Sequence, residues 1–303
     1  MLVSYVVTTY NQEETILQTL DSIVNQKMNS DDYEIIVCDD FSKDDTAKVV
    51  DKWLKKNKKV KAQLLVPEAN QGTVKNLLMG VAACQGQYIM SLAGDDWLVE
   101  DSAANMNSYL VKNNPTVVCA NLIIYYEAKK EFVCNQLQKN YLDFYKANAK
   151  KQNNLLTFHN YVYAPSVYIK TEVFKKIIPA ITDYKYMEDY PMWYAITKLG
   201  YHIDFCDIYG VYYRQGENNI TNTGSLKPHQ KQYYQDIIDF KEYAIADNHS
   251  FYKWFMKHYI KQQILDYMHT IGAITKKEYS SKSKVNKLFN IARYVNFILR
   301  IKL

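Results

Sequence analysis

The sequence lacks several features that would point to common protein classes. Its five cysteines are an odd number without a Cys-x-x-Cys pair, so we interpret them as reduced core residues of a cytosolic protein. Its nine glycines form neither Gly-x-Gly-x-x-Gly nor Gly-x-x-x-x-Gly-Lys-Ser/Thr, which disfavours a dinucleotide-binding fold and a P-loop enzyme. There is no apolar run of 18 residues and no basic stretch at the amino terminus. We therefore expect neither a membrane-spanning segment nor a secretory signal.

Arginine is also scarce. Arg214, Arg293 and Arg300 stand beside 34 lysines, so Arg214 is the sole guanidinium among the first 250 residues. A specific anion contact is one interpretation of Arg214, and a structural salt bridge is the other. From Phe251 onward eleven Lys or Arg residues accompany two acidic residues, whereas the whole chain carries only +5. The first 250 residues are therefore net negative, which argues against nucleic-acid binding.

The material for a folded core is present. The 303 residues are 48% hydrophobic, 14% aromatic and 23% charged, with 28 Tyr among the aromatic residues. This composition excludes intrinsic disorder, and the length suits one large or two small domains.

Up to about residue 126, short β-rich runs alternate with helical patterns, which predicts a mainly parallel α/β sheet. The predicted strands are Val3–Thr8, Glu34–Cys38, Ala62–Val66, Tyr88–Ala93 and Val117–Tyr125. The predicted helices between them are Glu13–Gln26, Thr46–Lys56, Val74–Cys84 and Ser102–Lys112. The strands are almost continuously apolar, as expected when helices cover both faces of a sheet.

The second half of the chain is less regular. Residues 127–161 are polar without clear periodicity, and we predict an insertion or a mobile lid there. The elements predicted next are strands at Ser166–Ile169 and Ile208–Tyr213, helices at Thr171–Ile178 and Asp189–Leu199, and a loop at 216–227. After Pro228 the pattern is helical, with breaks near 247–250 and 272–277.

Two acidic pairs follow predicted strands. Asp39 and Asp40 end one strand, and Asp95 and Asp96 come shortly after another. Ligands of open α/β sheets bind at the carboxyl ends of the strands. Two neighbouring acidic pairs at such an edge are costly unless a cation or a ligand donor offsets their charge. Oxygen ligands without a His/Cys cluster favour Mg²⁺ or Mn²⁺.

Five segments of the sequence together resemble family 2 glycosyltransferases with the GT-A fold. They are VSYVVTTYN at 3–11, VCDDFSKDDT at 37–46, GQYI at 86–89 leading to GDD at 94–96, MEDYPMW at 187–193 and YYR at 212–214. The resemblance covers roughly residues 2–220. It implies a Rossmann-like, mixed, mainly parallel sheet flanked by helices, with a helical carboxyl-terminal extension.

The resemblance also implies a domain organisation. Residues 1–220 would form the GT-A catalytic domain, with a nucleotide-sugar half at about 1–126 and an acceptor half at about 127–220. Residues 221–303 would form the helical extension.

The resemblance implies that six residues bind the nucleotide-sugar: Thr8, Tyr10, Asp40, Lys75, Asp95 and Arg214. Tyr10 would stack on the base, and Asp40 would accept the imide N–H of uracil or thymine, although guanine also offers ring N–H donors. Asp95 would contact the ribose. Lys75 and Arg214 would approach the diphosphate, with a solvated lysine as the alternative for Lys75.

The resemblance implies the remaining roles too. Asp96 would bind a divalent metal, Mn²⁺ or Mg²⁺, that bridges the diphosphate. Asp189, with Glu188 beside it, would be the general base of an inverting displacement; helix capping is the alternative reason for acidic residues there. Two departures from the family pattern are Ala93, where many members have the first Asp of an Asp-x-Asp triplet, and Gly216, where many have His.

Residues 284–303 combine basic and apolar residues at helical spacing, which predicts an interfacial helix on an anionic membrane surface. Packing on its own domain or on a second subunit of a homo-oligomer is the alternative. We expect a metal-dependent inverting glycosyltransferase, cytoplasmic or peripheral at the inner face of the membrane, that uses a UDP-sugar and a glycan or lipid-linked acceptor in capsule or related polysaccharide biosynthesis. An inactive assembly subunit and a nucleotidyltransferase on a similar sheet are the alternatives.

Overall fold

The computed structural model describes residues 2–216, 227–247 and 253–288 of the chain. The chain divides into two compact units. The first comprises Met1–Asn153 and Tyr161–Asn219, and the second comprises Asn154–Asn160 and Ile220–Leu303. The second unit thus includes a short segment from the middle of the chain as well as its carboxyl-terminal part.

The first unit is built on a mixed sheet of nine strands. They are β1 Val3–Thr9, β2 Tyr33–Asp39, β3 Ala62–Leu65, β4 Tyr88–Ala93, β5 Trp97–Leu98, β6 Val117–Tyr126, β7 Glu131–Cys134, β8 Val167–Lys170 and β9 Ile203–Gln215. The strand order is β3-β2-β1-β4-β8-β6-β9-β5, and β7 pairs with β6. Strands β3, β2, β1 and β4 run parallel, as do β6 and β9, and the other pairings are antiparallel. The predicted mixed α/β sheet is confirmed, although among the described strands the parallel pairings only equal the antiparallel ones in number.

Helices accompany the sheet and make up most of the described part of the second unit. Those of the first unit are α1 Ile16–Val24, α2 Thr46–Lys56, α3 Thr73–Ala83, α4 Ser102–Asn113, α5 Lys139–Lys146, α6 Ala149–Leu156, α7 Thr171–Ile177 and α8 Asp189–Lys198, with the end of α6 in the second unit. The second unit adds α9 Pro228–Asp247, α10 Lys253–Thr270 and α11 Lys276–Leu288. The predicted helical carboxyl-terminal region is confirmed, as is its break near 272–277, whereas most of the predicted break at 247–250 lies outside the described residues.

The first core forms where the apolar strands meet apolar helix faces. All seven residues of β2 are buried, as both faces of a parallel strand require. Helix α1 buries Ile16, Leu20 and Ile23, which are spaced to lie on one helical face. Burying each such side chain contributes about 1.5–3 kcal/mol. Packing in this core therefore stabilises the register of the strands, and the register determines which residues lie at the carboxyl ends of the strands.

No helix or strand was predicted at 127–161, where an insertion or a mobile lid was expected, and the structure has regular elements there. This region contains β7, α5 and α6, and it buries Phe144, Tyr145 and Leu156. Its helices are short, and their apolar residues pack on other parts of the chain, so no long periodic pattern marks them in the sequence. Cys134 on β7 is exposed, which corrects the expectation that all the cysteines are core residues; the other four are buried.

The second unit has its own small core. Phe158, Ile238, Ile260 and Ile264 pack together. Lys241 is buried in the same unit and donates a hydrogen bond from Nζ to the Phe158 carbonyl at 2.8 Å. Burial lowers the pKa of Lys241 to about 7.

Of the helices described here, none combines the length and the apolar character needed to cross a membrane. The predicted interfacial helix at 284–303 lies largely outside the described residues, which end at 288, and most of the predicted loop at 216–227 also lies outside them.

Candidate functional site

The candidate site lies at the carboxyl edge of strands β1, β2 and β4. In the sheet, Thr9 pairs with Asp39 and Thr8 pairs with Ala93. The residues that follow these strands therefore leave the sheet side by side. The structure thus brings Tyr10 and both acidic pairs to one edge, where open α/β sheets bind ligands.

Hydrogen bonds tie the segments after β1 and β2 together. The Asn11 backbone N–H donates to Ser42 Oγ at 2.8 Å, and the Lys43 N–H donates to Asn11 Oδ1 at 2.7 Å. Asn11 has φ 52°, a left-handed conformation that asparagine tolerates better than most residues. Tyr10 is 44% exposed beside this junction, so its ring is accessible to a planar ligand. The sequence analysis did not assign a role to Asn11, although asparagine directly after a strand is a turn signal.

Asp40 is buried and anchored by the chain around residues 70–72. Its Oδ1 accepts the Gln71 N–H at 2.7 Å, and its Oδ2 accepts the Gly72 N–H at 2.9 Å. Burial raises the pKa of the Asp40 carboxyl, and these two hydrogen bonds oppose that rise. Each carboxylate oxygen can accept a second hydrogen bond, so the predicted contact with a base N–H stays a prediction.

The segment that anchors Asp40 also approaches the chain before α8. The Val74 N–H donates to the Lys185 carbonyl at 3.2 Å. Gly72 has φ +88°, and a Cβ on it would lie 2.9 Å from that same carbonyl oxygen. The positive charge of Lys185 lowers the pKa of Asp40. The sequence analysis missed Gly72 and Lys185, because only the fold brings them next to Asp40.

Asp95 and Asp96 meet Arg214 at the end of β4. Asp96 is 1% exposed, and its Oδ1 accepts the Arg214 backbone N–H at 2.8 Å. The Arg214 Nε–H donates to the Asp95 carbonyl at 2.9 Å. The guanidinium also forms an ion pair with Glu127 at 3.2 Å and donates to Gln18 Oε1 at 2.6 Å. The structural salt bridge is thus present, and the diphosphate contact of Arg214 stays a prediction.

The electrostatics of this acidic pair favour a positive charge. Burial raises the pKa of both carboxyls, and for Asp96, whose pKa lies well above the usual range, the negative charge of Asp95 adds to the rise. Arg214 works in the opposite direction without cancelling it. The surrounding protein therefore compensates the ionised form of this pair only in part.

Gly94 allows the acidic pair to reach this position. A Cβ on Gly94 would lie 2.6 Å from Gln12 Oε1 and 2.8 Å from Thr9 Oγ1. A larger residue would push the chain that carries Asp95 and Asp96 away from β1.

The acidic pair fits a divalent cation that is shared with a ligand. Within residues 2–216, 227–247 and 253–288, no three Asp, Glu, His or Cys side chains come together as a metal group. Among those residues nothing donates a hydrogen bond to Asp96 Oδ2. Mg²⁺ is commonly held by one or two carboxylates together with phosphate oxygens and water. The donor set therefore suits Mg²⁺ or Mn²⁺ bound jointly with a diphosphate, and it does not suit a cage made only of protein ligands.

Helix α8 begins at a further pair of acidic residues, Glu188 and Asp189, in the same unit. Asp189 is its first residue, Glu188 precedes it, and both are half-buried. Glu188 lines a cavity of about 130 Å³ together with Thr8 and Trp193. The buried Trp193 indole N–H has no acceptor within the described part of the chain. The cavity wall thus contains a carboxylate and an N–H donor close to the end of β1.

Lys75 is the remaining predicted site residue, and it takes no part in the hydrogen bonds and ion pairs described above. Lys75 is exposed on α3 and forms no ion pair with any residue that the structure describes. Its predicted approach to a diphosphate stays a prediction.

The comparisons with known proteins agree with this geometry. Residues 4–176 match the family described as Glycosyl transferase family 2. An uncharacterized glycosyltransferase of Haemophilus influenzae is 28% identical over 206 residues, which are 66% of this chain and 61% of that protein. Abequosyltransferase RfbV of Salmonella typhimurium is 32% identical over 119 residues, which are 39% of this chain and 35% of that protein. The chain thus spans less than two thirds of the length of both relatives.

The fold likeness extends over more of the chain. The crystal structure of S. aureus TarS 1-349 in complex with UDP-GlcNAc matches with a TM-score of 0.65 at 17% identity, covering 97% of this chain and 88% of that one. This likeness confirms the predicted GT-A fold. Because the family match extends over more than half of the chain, the chain belongs to glycosyl transferase family 2.

Proposed function

We propose that this chain is a metal-dependent, inverting glycosyltransferase that moves a sugar from a UDP-sugar to a hydroxyl group of a glycan or lipid-linked glycan. The observation that carries the proposal is the placement of half-buried Asp95 and buried Asp96, whose ionised form Arg214 compensates only in part, at the edge where Tyr10 and Asp40 also lie. The UDP-GlcNAc bound by TarS supports the choice of donor. RfbV, named an abequosyltransferase, supports a place in polysaccharide synthesis.

Donor binding uses the residues after β1 and β2. The exposed ring of Tyr10 stacks on the base, and Thr8 lies beside it at the end of the strand. Asp40, held by the Gln71 and Gly72 N–H groups, presents its remaining lone pairs to the imide N–H of uracil. Asp95 contacts the ribose.

Asp96 would hold the divalent metal. Asp96 has Oδ2 available for this purpose, and Arg214 fixes the orientation of its Oδ1. When bound, the ion neutralises the charge that develops on the leaving nucleoside diphosphate. Lys75 adds positive charge near the diphosphate.

We assign activation of the acceptor hydroxyl to Asp189, the first residue of α8. Asp189 takes the proton from the acceptor hydroxyl while that oxygen forms a bond to the anomeric carbon. The bond from the anomeric carbon to the diphosphate oxygen breaks on the opposite face, and the electron pair leaves with the diphosphate. A single displacement of this kind inverts the anomeric configuration. Glu188, in the cavity wall beside Asp189, positions the acceptor or shares the role of base.

The proposal is tested by screening nucleotide-sugars with Mn²⁺ for thermal stabilisation and for UDP release. A donor at 100 times its Kd adds about 2.7 kcal/mol to the free energy of unfolding. We expect a UDP-sugar to stabilise the chain in Mn²⁺ and to release UDP, and NMR of the product to show an inverted anomeric centre. If no nucleotide-sugar stabilises the protein or is turned over, the chain is an inactive relative that acts as an assembly subunit.

The role of base is tested by comparing two amide variants. Asp189→Asn is expected to lower the transfer rate by roughly 10² to 10⁴ with donor affinity near that of the parent, since a general base contributes about that much. Glu188→Gln is measured in parallel with the same donor and acceptor. If Glu188→Gln shows the large loss and Asp189→Asn transfers at the parental rate, Glu188 is the base.

The basic residues at 284–303, which we call the basic tail, bear on where the enzyme acts. We propose that residues 284–303 attach the chain to the anionic inner surface of the membrane, where a lipid-linked acceptor is found. Each cation near such a surface contributes about 1 kcal/mol. Replacing Arg293 and Arg300 with glutamine in the full chain is expected to weaken sedimentation with phosphatidylserine vesicles. Replacing Lys55 and Lys56, exposed at the end of α2, with glutamine is the matched control; equal losses would contradict attachment by the tail and leave its packing on protein, or on a second subunit, as the explanation.

A further inference from the structure

Four aromatic side chains form a cluster on the sheet next to the acidic pair. We call Trp97, Tyr125, Phe132 and Tyr212 the aromatic face. Trp97 and Tyr212 are stacked with ring centroids 5.1 Å apart, and Tyr125 and Phe132 lie 4.7 Å apart. Phe132 also meets Tyr212 edge to face at 5.4 Å. The four rings therefore form one continuous cluster, in which Trp97 is buried.

The strand register explains why these rings share one side of the sheet. Trp97 of β5 pairs with Tyr212 of β9, and Tyr125 of β6 pairs with Phe132 of β7. Tyr125 also pairs with Arg214, two residues after Tyr212. Directly paired residues and residues two apart on a strand lie on the same face. The opposite face carries Leu98, Val211 and Leu122, which belong to the main core.

The aromatic face is open to solvent at Phe132 on β7. Phe132 is 56% exposed, although it contacts three other rings. Tyr125 and Tyr212 are half-buried. A contiguous exposed apolar surface beside a binding site marks a place where a ligand docks.

Arg214 connects this surface to the acidic pair. Its guanidinium carbon lies 4.9 Å from the Trp97 ring centroid and 5.3 Å from that of Tyr125. The same residue donates its backbone N–H to Asp96 and its Nε–H to the Asp95 carbonyl. One end of a molecule bound on the aromatic face therefore lies next to Asp95 and Asp96.

The rim of the aromatic face offers hydrogen-bond acceptors. Tyr212 donates its hydroxyl hydrogen to Glu100 Oε2 at 3.0 Å. Glu127 pairs with Arg214, and Glu131 begins β7; all three glutamates are exposed. Carboxylates accept hydrogen bonds from hydroxyl groups, and they repel phosphate groups. The rim therefore offers acceptors for the hydroxyl groups of a sugar, beside the exposed Lys129 and Lys130 in the turn before β7.

We propose that the aromatic face binds a pyranose ring of the acceptor glycan. The C–H groups on one face of a pyranose carry partial positive charge and meet the negative face of an aromatic ring, while the sugar hydroxyls reach the glutamates at the rim. This inference rests on the proposed function, since it assigns that surface to the acceptor of the transfer reaction.

The test measures oligosaccharide binding by the full chain without any donor. Cellohexaose, maltohexaose and chitohexaose are titrated separately, and binding is followed by tryptophan fluorescence and calorimetry. We expect at least one of them to bind, Phe132→Ala to weaken that binding by at least about fivefold, and Phe132→Trp to retain it. Val133→Ala is the matched control, because Val133 is the next residue of β7, is 45% exposed and lies on the opposite face.

Several outcomes would overturn the proposal. One is that none of the three oligosaccharides binds, and another is that Val133→Ala weakens binding as much as Phe132→Ala. Binding of poly(ribitol phosphate) that depends on Phe132, without binding of the pyranose oligosaccharides, would show that the occupant is a polyol phosphate. Release of UDP from a UDP-sugar by the parent chain is measured separately; its absence would count against the proposed function and leave the oligosaccharide result to stand by itself.

Discussion

The two acidic pairs at the edge of the sheet have the same sequence pattern and different surroundings. Asp39 accepts hydrogen bonds from the backbone and side chain of Ser42, and Asp40 accepts two backbone N–H groups. Asp96 accepts one backbone N–H and stands beside the charge of Asp95. Both carboxylates of the first pair are thus held by hydrogen bonds from the protein, which for Asp40 oppose the rise in pKa that burial causes. The second pair leaves charge for a cation to compensate.

The largest expected effect is on the transfer rate, and it comes from replacing Asp96, the proposed metal ligand. Asp96→Asn is expected to lower transfer on the order of 10³-fold, because charge on the leaving diphosphate is no longer offset. UDP binding should weaken in Mn²⁺ and change little in EDTA. Calorimetric titration of UDP in both conditions checks this. If Mn²⁺ enhances UDP binding equally in the variant and the parent, Asp96 does not hold the metal.

The same substitution at the anchored pair is expected to act on stability. In Asp40→Asn the amide NH₂ must face a backbone N–H of Gln71 or Gly72, which leaves buried donors without an acceptor and costs about 1–3 kcal/mol of unfolding free energy. Urea unfolding of the metal-free protein at pH 7 measures the change. Asp96→Asn is the matched comparison and should show no loss, because it removes a buried charge that the protein compensates only in part. Equal losses in the two variants would mean that the pairs do not differ in the way described.

The smallest expected effect is a pH dependence that belongs to the second pair. The pKa of Asp96 is raised in the folded protein, so the folded state binds this proton more tightly than the unfolded state. The resulting stabilisation is present below the ordinary pKa of an aspartate and is lost as the pH rises through the folded-state value. In metal-free protein the parent should therefore lose stability relative to Asp96→Asn as the pH rises from 4 toward neutrality, and Mn²⁺ with UDP should reduce that loss. A difference between parent and variant that does not change with pH would contradict the raised pKa.

Sequence patterns were sufficient where an element is long and its neighbours are close in the chain. Helix α2 and strand β4 have the same bounds as predicted, and the break between α10 and α11 is close to its expected position. Sequence patterns did not predict the elements at 127–161, where the short helix α5 stacks Tyr145 on the distant Phe205. The two-residue strand β5 was missed because the strand that it pairs with, β9, lies more than 100 residues later in the chain.

The sequence by itself determined that the chain folds as an α/β sheet and that two acidic pairs follow its strands, because apolar runs and strand ends are local features. Only the tertiary structure decided how the two pairs differ. Gln71 and Gly72 reach Asp40 from another loop, and Arg214 reaches Asp96 across 118 residues of chain. Local patterning cannot specify such partners, because the charge environment of a carboxylate depends on which distant groups the fold packs against it.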